Sequence, residues 1–475
     1  MTGMSLDKAA VIHLIGIGGT GLSAIARLLV ERGYRVSGSD RALSPLAASL
    51  QAEGVPVTIG HRAEAVRGAT LVVRSSAIPD DNVEVQAARA AGIPVLKRNE
   101  FLGQLTAEWQ VIAVAGTHGK TTTTAMTAWT LVALGADPSY IIGGTPANLG
   151  LNAHAGGGPA LVIEADEYDR MFLGLKPRLA VVTNVEHDHP DCYPAAEDFY
   201  QAFAAFSREI QPGGMLLACG DDAGAARLLA EARSGGIQTA AYGIEANELA
   251  YRAEHLSLNA QGGFTFDVTC SLPGGFELRP AVELQVPGRH NVLNALAALS
   301  AAHQLGYSLA QAGAALGKFQ GTGRRFEVRG EAEGIVVIDD YAHHPTKIRA
   351  TLAAARLRYP SRRIWAVWQP HTYSRTRLLL AEFAAAFEQA DEVVVTAVYP
   401  AREPAPADNF SARQVVAAMR HKRAHYVPEL VKATAYLLGR LRSGDVLVVM
   451  SAGDADQVSS NVLAALHERS GENVG

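Results

Sequence analysis

Residues 112–126 read "IAVAGTHGKTTTTAM". An apolar run ends at Gly116, and Gly119 stands just before Lys120 and a row of threonines. An apolar run that stops at glycine and resumes as a helical pattern predicts a strand, a tight loop and a helix. Such a loop aims several backbone N–H groups at one point, and the helix N-terminus adds partial positive charge. Gly116 and Gly119 let the main chain approach phosphate oxygens. Lys120 can neutralise the outer phosphates of a nucleotide, and Thr121, followed by Thr122, can offer its hydroxyl to Mg2+. The strict phosphate-loop pattern requires glycine where this chain has Val114, so the loop is two residues shorter than that pattern. The competing reading is a Gly-Lys-Thr turn that only caps a helix.

Two stretches downstream extend the first reading. "LVIEADEYDR" places Glu164, Asp166, Glu167 and Asp169 at the end of an apolar run, and "LAVVTNVEHDHPD" does the same with Glu186, His187, Asp188 and His189. Carboxylates suit Mg2+, which prefers an oxygen shell, and a histidine nitrogen can serve a second ion. Three such strand ends predict a nucleotide-metal site at the carboxyl edge of one sheet. In "GRHNVLNALAA", His290, Asn291 and Asn294 fall on nearly one helical face and can meet a base or ribose. Capping of that helix by Asn291 is the alternative.

The same strand, loop and helix order occurs before and after this block. "VIHLIGIGGTG" fits a dinucleotide-type loop with Gly16, Gly18 and Gly21, and Asp40 closes the next apolar run where a ribose-binding acid would stand. NAD, FAD and a UDP-sugar all satisfy that pattern. Gly60-His61 and the "RSSAI" stretch with Ser75 and Ser76 supply more polar groups, or simple turns. "VIDDYAHHPTK" and "VWQPHTYSRTR" bring Asp339, Asp340, Tyr341, His343, His344, His371 and Arg375 to strand ends, and Pro345 can open a helix. "FQGTGRRFE" adds Arg324 and Arg325. These alternations predict an α/β protein of three domains, 1–107, 108–325 and 326–475, with mostly parallel sheets. Residues 250–287 alternate about a Gly262-Gly263 turn and predict a small antiparallel insert.

Composition narrows the classes. The chain has 475 residues, 48% apolar and 19% charged, which allows several buried cores and argues against disorder. A net charge of -5 gives no general attraction to nucleic acid or an anionic membrane. Three isolated cysteines point to a reducing compartment. The opening "MTGMSLDKAAVIHLIG" lacks a leader layout, no apolar run reaches membrane-span length, and the closing "GENVG" is expected to fray. A cytoplasmic protein without stable membrane insertion, monomeric or weakly dimeric, is expected.

Taken together, "GIGGTGLSAIA", "AGTHGKTTTTAM", "EADEYD", "TNVEHDHPD", "GRHNVLNALAA", "GTGRRFE", "DDYAHHPT" and "QPHTYSRTR" resemble, in order and over nearly the whole chain, the Mur ligases. These are ATP-dependent amide-forming enzymes of peptidoglycan synthesis. The shortened phosphate loop is that family's normal form. The resemblance implies a UDP-binding Rossmann-like domain, a central ATPase domain and a C-terminal Rossmann-like domain. Its motifs are nearest the members that join L-alanine to UDP-N-acetylmuramate through an acyl phosphate. It implies catalytic roles for Lys120, Glu164, His189, His343 and Arg375. It implies ATP contacts from Gly116, Thr117, Gly119, Lys120, Thr121, Thr122, His290, Asn291, Arg324 and Asp340. Mg2+ would be held by Thr121, Glu164 and His189. UDP-sugar contacts would come from Gly18, Gly19, Thr20, Asp40, His61, Ser75 and Ser76, and amino-acid contacts from Tyr341, His343, His371 and Arg375. Two departures stand out: Thr372 replaces an arginine of some members, and "EADEYD" replaces "EADESD" and is similar to the branch that recycles a tripeptide. An NAD-dependent oxidoreductase with a regulatory ATPase block is the expectation from another class.

Overall fold

The computed structural model describes residues 9–272, 275–401 and 403–471. The leader and fraying expectations therefore fall partly, at 1–8 and 472–475, outside the described residues. The chain builds three sheets in sequence order. The first has five parallel strands, β1 (Val11–Ile15), β2 (Arg35–Asp40), β3 (Val57–Ile59), β4 (Leu71–Arg74) and β5 (Val95–Lys97), ordered β3-β2-β1-β4-β5.

The second sheet has ten strands. They are β6 (Gln110–Ala115), β7 (Ser139–Ile141), β8 (Ala153–His154), β9 (Ala160–Glu164), β10 (Leu179–Val182), β11 (Met215–Cys219), β12 (Gln238–Gly243), β13 (Tyr251–Leu258), β14 (Phe264–Leu272) and β15 (Gly275–Glu283). The order is β15-β14-β13-β12-β11-β10-β6-β9-β7-β8. β6 lies between β9 and β10, parallel to both, so all three release their chains at one edge. β10 is buried at every residue, which is why it reads as an unbroken apolar run. β13 to β15 form the expected antiparallel ribbon, turning at Gly262 with φ +80°. It continues the main sheet through the parallel β12-β13 pair instead of standing apart as an insert.

The third sheet holds β16 (Glu327–Ala332), β17 (Ile335–Asp340), β18 (Ile364–Trp368), β19 (Glu392–Val395), β20 (Ala424–Tyr426) and β21 (Val446–Met450), ordered β16-β17-β21-β18-β19-β20. Only β16 is antiparallel to its neighbour. Pro345 opens the helix Pro345–Arg358 as expected, because its fixed φ fits the first turn and its missing N–H is not needed there.

The two domain seams differ. Phe101, Leu102 and Leu105 share one continuous apolar core with Trp109, Phe172, Phe199 and Phe203 of the middle domain. Gly174 allows the close approach: a Cβ there would lie 2.0 Å from the Asn99 carbonyl oxygen. The third domain keeps its apolar clusters to itself and meets the middle domain through polar side chains. Cys192, Cys219 and Cys270 are free thiols. Among the described residues no helix is long and apolar enough to cross a membrane.

Candidate active site

The loop after β6 has the geometry its glycines predict. Gly116 sits at φ +136° and a Cβ would lie 2.0 Å from Thr183 Oγ1; Gly119 sits at φ +81° and a Cβ would lie 2.5 Å from Asn294 Oδ1. The chain after β10 fixes the loop. Thr117 Oγ1 donates to the Glu186 carbonyl at 2.7 Å, and the His118 N–H donates to Asn184 Oδ1 at 2.8 Å. The helix Lys120–Ala133 then starts without a side-chain cap, leaving its first N–H groups directed at the cavity.

Lys120 points back over this loop. Its Nζ donates to the Gly116 carbonyl at 2.6 Å and to Glu167 Oε1 at 2.9 Å. Burial would lower the Lys120 pKa, but the Glu167 carboxylate raises it above its usual value. Burial would raise Glu167, yet Lys120 and His189 bring it down to about 2. Thr121 Oγ1 donates to Glu164 Oε1 at 3.0 Å, and the Gly143 N–H donates to Glu164 Oε2 at 2.7 Å. A Cβ at residue 143 would lie 2.4 Å from Glu164 Oε2, so glycine makes room for this carboxylate. One hydroxyl and one carboxylate give an all-oxygen donor pair that fits Mg2+. Thr122 lines the same cavity.

The helix Arg289–Gln304 brings His290, Asn291 and Asn294 to that cavity. Gly288 occupies the capping position, which overturns capping by Asn291; its side-chain amide donates to the Pro287 carbonyl at 2.7 Å. Asn294 Nδ2 donates to Asn291 Oδ1 at 2.9 Å, so these amides brace each other. Burial alone pushes His290 down to about 4, making it a neutral ring at pH 7.

His189, at φ +57°, follows β10 and places Nε2 3.4 Å from Glu167 Oε1. Burial opposes its charge, but Asp188 and Glu167 raise its pKa. Arg375, from the helix Tyr373–Leu378, crosses the seam and donates from Nε to Asp188 Oδ1 at 2.7 Å. Burial would raise Asp188, yet Arg375 holds it well below the usual carboxylate range. Arg375 Nη1 lies 3.2 Å from His371 Nδ1, and His371 stacks on Tyr399 with ring centroids 5.7 Å apart. His343 Nδ1 lies 2.9 Å from the Tyr341 carbonyl, and its ring stands edge-on to Tyr341. Burial, then Lys347 and Arg375, keep His343 well below its ordinary pKa. Thr372, at φ +64°, caps that short helix by accepting the Arg375 N–H at 3.4 Å.

The paired arginines separate. Arg324 turns toward the third domain, with Nη2 donating to the Ser451 carbonyl at 2.8 Å and Nε 3.3 Å from Asp339. Arg325 turns the other way, to the phosphate-loop helix, with Nη2 donating to Thr121 Oγ1 at 3.2 Å. Both line the cavity, and Arg325 is the one that touches the phosphate-loop helix. Asp340 accepts the Phe326 N–H at 2.7 Å, and burial, opposed by Arg325, raises its pKa. Thr346 Oγ1 donates to Glu186 Oε1 at 2.8 Å, and His118 Nε2 lies 2.7 Å from Glu186 Oε2. His118, Glu186 and His344 each offer a ligand atom within 4.8 Å of the others, but hydrogen bonds already satisfy Glu186 without an ion.

The first domain contributes one end of the space. The Gly18 N–H donates to Asp40 Oδ2 at 2.8 Å, and Ser75 packs beside Gly16. His61 lies 3.2 Å from Ser39 Oγ and 3.5 Å from Glu84. Thr20, Gly21 and Arg98 reach the cavity; Gly18, Gly19, Asp40, His61, Ser75 and Ser76 sit on the same sheet edge but outside its lining. The sequence does not single out Glu167, Asp188 or Lys347, whereas Arg325 stands beside Arg324 in "FQGTGRRFE" as a candidate from the start. The first two stood among several strand-end carboxylates, and nothing in their spacing distinguished them.

Family models match this architecture block by block: the Mur ligase family catalytic domain over 11–110, the Mur ligase middle domain over 114–302, and the Mur ligase glutamate ligase domain over 324–453. The UDP-N-acetylmuramate–L-alanine ligase of Roseiflexus castenholzii is 42% identical over 466 residues, covering 96% of this chain and 97% of its own. That of Renibacterium salmoninarum is 44% identical over 463 residues, covering 98% and 97%. Among solved structures, the UDP-N-acetylmuramate-alanine ligase of Thermotoga maritima superposes with a TM-score of 0.79 at 30% identity, covering 96% of this chain and 99% of that one. A murein peptide ligase of Psychrobacter arcticus gives 0.70 at 28% identity, covering 98% and 100%. With three domain models in order and relatives matched almost end to end, the chain belongs to the Mur ligase family.

Proposed function

We propose that this protein joins L-alanine to the lactyl carboxylate of UDP-N-acetylmuramate, driven by ATP, with release of ADP and phosphate. The observation that carries the reading is one cavity of ≈ 950 Å³, with Lys120, Thr121 and Glu164 lining one part and His189, His371 and Arg375 another. On this reading residues 1–107 hold the UDP-sugar, 108–325 hold ATP, and 326–475 hold the amino acid. The relatives named as alanine ligases match this chain at higher identity than the murein peptide ligase does. A reaction that consumes these nucleotides belongs in the cytoplasm.

A free carboxylate is a poor acyl donor because its leaving group is oxide. Phosphorylation by the ATP γ-phosphate supplies a good leaving group, and the alanine amine then attacks the acyl phosphate carbonyl. Mg2+ held by Thr121 and Glu164 would neutralise phosphate charge and polarise the transferred group. Lys120 exchanges Glu167 for the β/γ-phosphates, and the loop N–H groups take the remaining oxygens. His189 stands beside Glu167 and Asp188, which favour its protonated form, and as a neutral ring freed from Glu167 it would be able to hold a second ion. Arg375 keeps one edge on Asp188 and offers the other to the amino-acid carboxylate. Tyr341, His343 and His371 wall that pocket.

The test is phosphate release with Mg-ATP and UDP-N-acetylmuramate, supplied in parallel with L-alanine, glycine, L-serine or the L-Ala-γ-D-Glu-diaminopimelate tripeptide. Release that depends on L-alanine, with a product one alanine residue heavier, is the expected result. Release only with the tripeptide would assign the chain to recycling instead.

A further inference from the structure

Lys347 stands in the first turn of the helix Pro345–Arg358, in the third domain, and lines the same cavity as the phosphate loop. Every other cation in its surroundings has a partner. Lys120 is held by Glu167, Arg375 by Asp188, and Arg325 by Thr121. Lys347 has no hydrogen bond or ion pair to any described residue. Lys347 is only partly buried, yet an amine held beside two like charges gains when an anion arrives. The helix N-terminus from which it projects adds to the local positive potential.

We propose that Lys347 is a further phosphate-binding residue, presented by the third domain to the terminal phosphate of the nucleotide held on the middle domain. This rests on the ligase reading for the identity of the nucleotide. Lys347 would make closure of the third domain depend on a triphosphate, because the amine gains its partner only when that phosphate is present.

The electrostatic surroundings give the inference a signature. Burial, then the Lys120 and Arg325 cations, lower Lys347 to about 7, while Asp188 and Glu167 act in the opposite direction. Asp340 from β17 and the rings of His118, His343 and His344 also face it. A terminal phosphate raises the affinity of this amine for a proton, so at pH 8 nucleotide binding should draw one from solution.

The experiment is calorimetry of Mg-ATP, Mg-ADP and AMP binding to the full chain at pH 8, in buffers of different ionisation enthalpy, with steady-state kinetics alongside. For the unaltered protein, proton uptake is expected with Mg-ATP and little with AMP. In Lys347→Met, uptake with Mg-ATP should disappear and the ATP KM should rise about ten- to a hundredfold, as for loss of one charge-assisted hydrogen bond. Affinity for AMP and the L-alanine KM should stay within about twofold. Lys347→Arg should restore most of the ATP affinity but not the proton uptake. An unchanged ATP KM in a folded Lys347→Met protein, or uptake that persists in it, overturns the proposal. If Lys347→Met does not fold, equal uptake with Mg-ATP and AMP by the unaltered protein overturns it as well. Failure of the ligase reading shows separately, as absence of L-alanine-dependent phosphate release from the unaltered protein.

Discussion

Two glycine loops in this molecule leave parallel strands and open helices, yet they are equipped differently. The loop after β1 is tied to the neighbouring strand: Asp40, at the end of β2, accepts the Gly18 N–H, and no lysine follows. The loop after β6 is ringed by charge, with Lys120 held by Glu167 and Thr121 held by Glu164. Main-chain N–H groups suffice to hold a diphosphate that stays intact. A phosphate that is transferred needs movable cations and a metal to follow the charge as it shifts. On the proposed function, the first loop binds and the second transfers.

The hardest test of that division removes the cation. Lys120→Ala should lower turnover on the order of a thousandfold. Calorimetry should find UDP-sugar affinity within about twofold of normal, and retained ligase activity would refute the role given to Lys120. The change also leaves the buried Glu167 carboxylate with only His189 beside it, 3.4 Å away, and should cost part of the roughly 3–5 kcal/mol of a fully unpaired buried charge. Adding Glu167→Gln should recover much of that thermal stability and none of the activity. Next in size, Arg375→Ala should raise the L-alanine KM about ten- to a hundredfold with a smaller change for ATP. An unaltered alanine KM would remove Arg375 from the amino-acid pocket.

Backbone substitutions sharpen the contrast. Gly119→Ala forces a side chain into a left-handed position, φ +81°, with its Cβ 2.5 Å from Asn294 Oδ1. Chemical denaturation should show a loss of about 2–3 kcal/mol. Gly19 is at φ -75° and a Cβ there meets nothing nearer than the Gly16 carbonyl at 3.4 Å. Gly19→Ala should therefore change stability by less than about 1 kcal/mol. Asp40→Ala should raise the UDP-sugar KM about tenfold while the ATP KM holds, and an equal change in both would blur the two loops.

Acid reveals a further difference. Glu167 ionises near 2 in the folded chain against an ordinary 4.5. A depressed value stabilises the fold fully above pH 4.5, and that contribution fades as pH falls toward 2. Unfolding measured across this range should depend less steeply on pH in the Lys120→Met, Glu167→Gln double variant. An identical slope would mean that the pair does not couple folding to protons.

Local pattern made the three sheets and the phosphate loop legible, because each follows from residues adjacent in sequence or from strand ends at one edge, while the family resemblance singled out Glu164 as the partner of Thr121. Partner choice across domains was not legible in the same way. Arg324 and Arg325 are neighbours, but φ values of +57° at Arg324 and +50° at Phe326 send them to different faces, so only one reaches Thr121. Lys347 looked like an ordinary helix residue until the third domain closed over the loop. The hold of Arg375 on Asp188 joins residues 187 positions apart, and no spacing rule reaches that far.

The unlike seams have a thermodynamic consequence. The first and middle domains are joined by shared aromatic packing, so neither can melt without exposing the other's core, and they should unfold as one cooperative unit. The third domain closes its own apolar clusters and is tied on by charged and hydroxyl groups. Its calorimetric transition should stand apart in the free protein, shift with salt, and merge with the other only when ligands fill the gap between them.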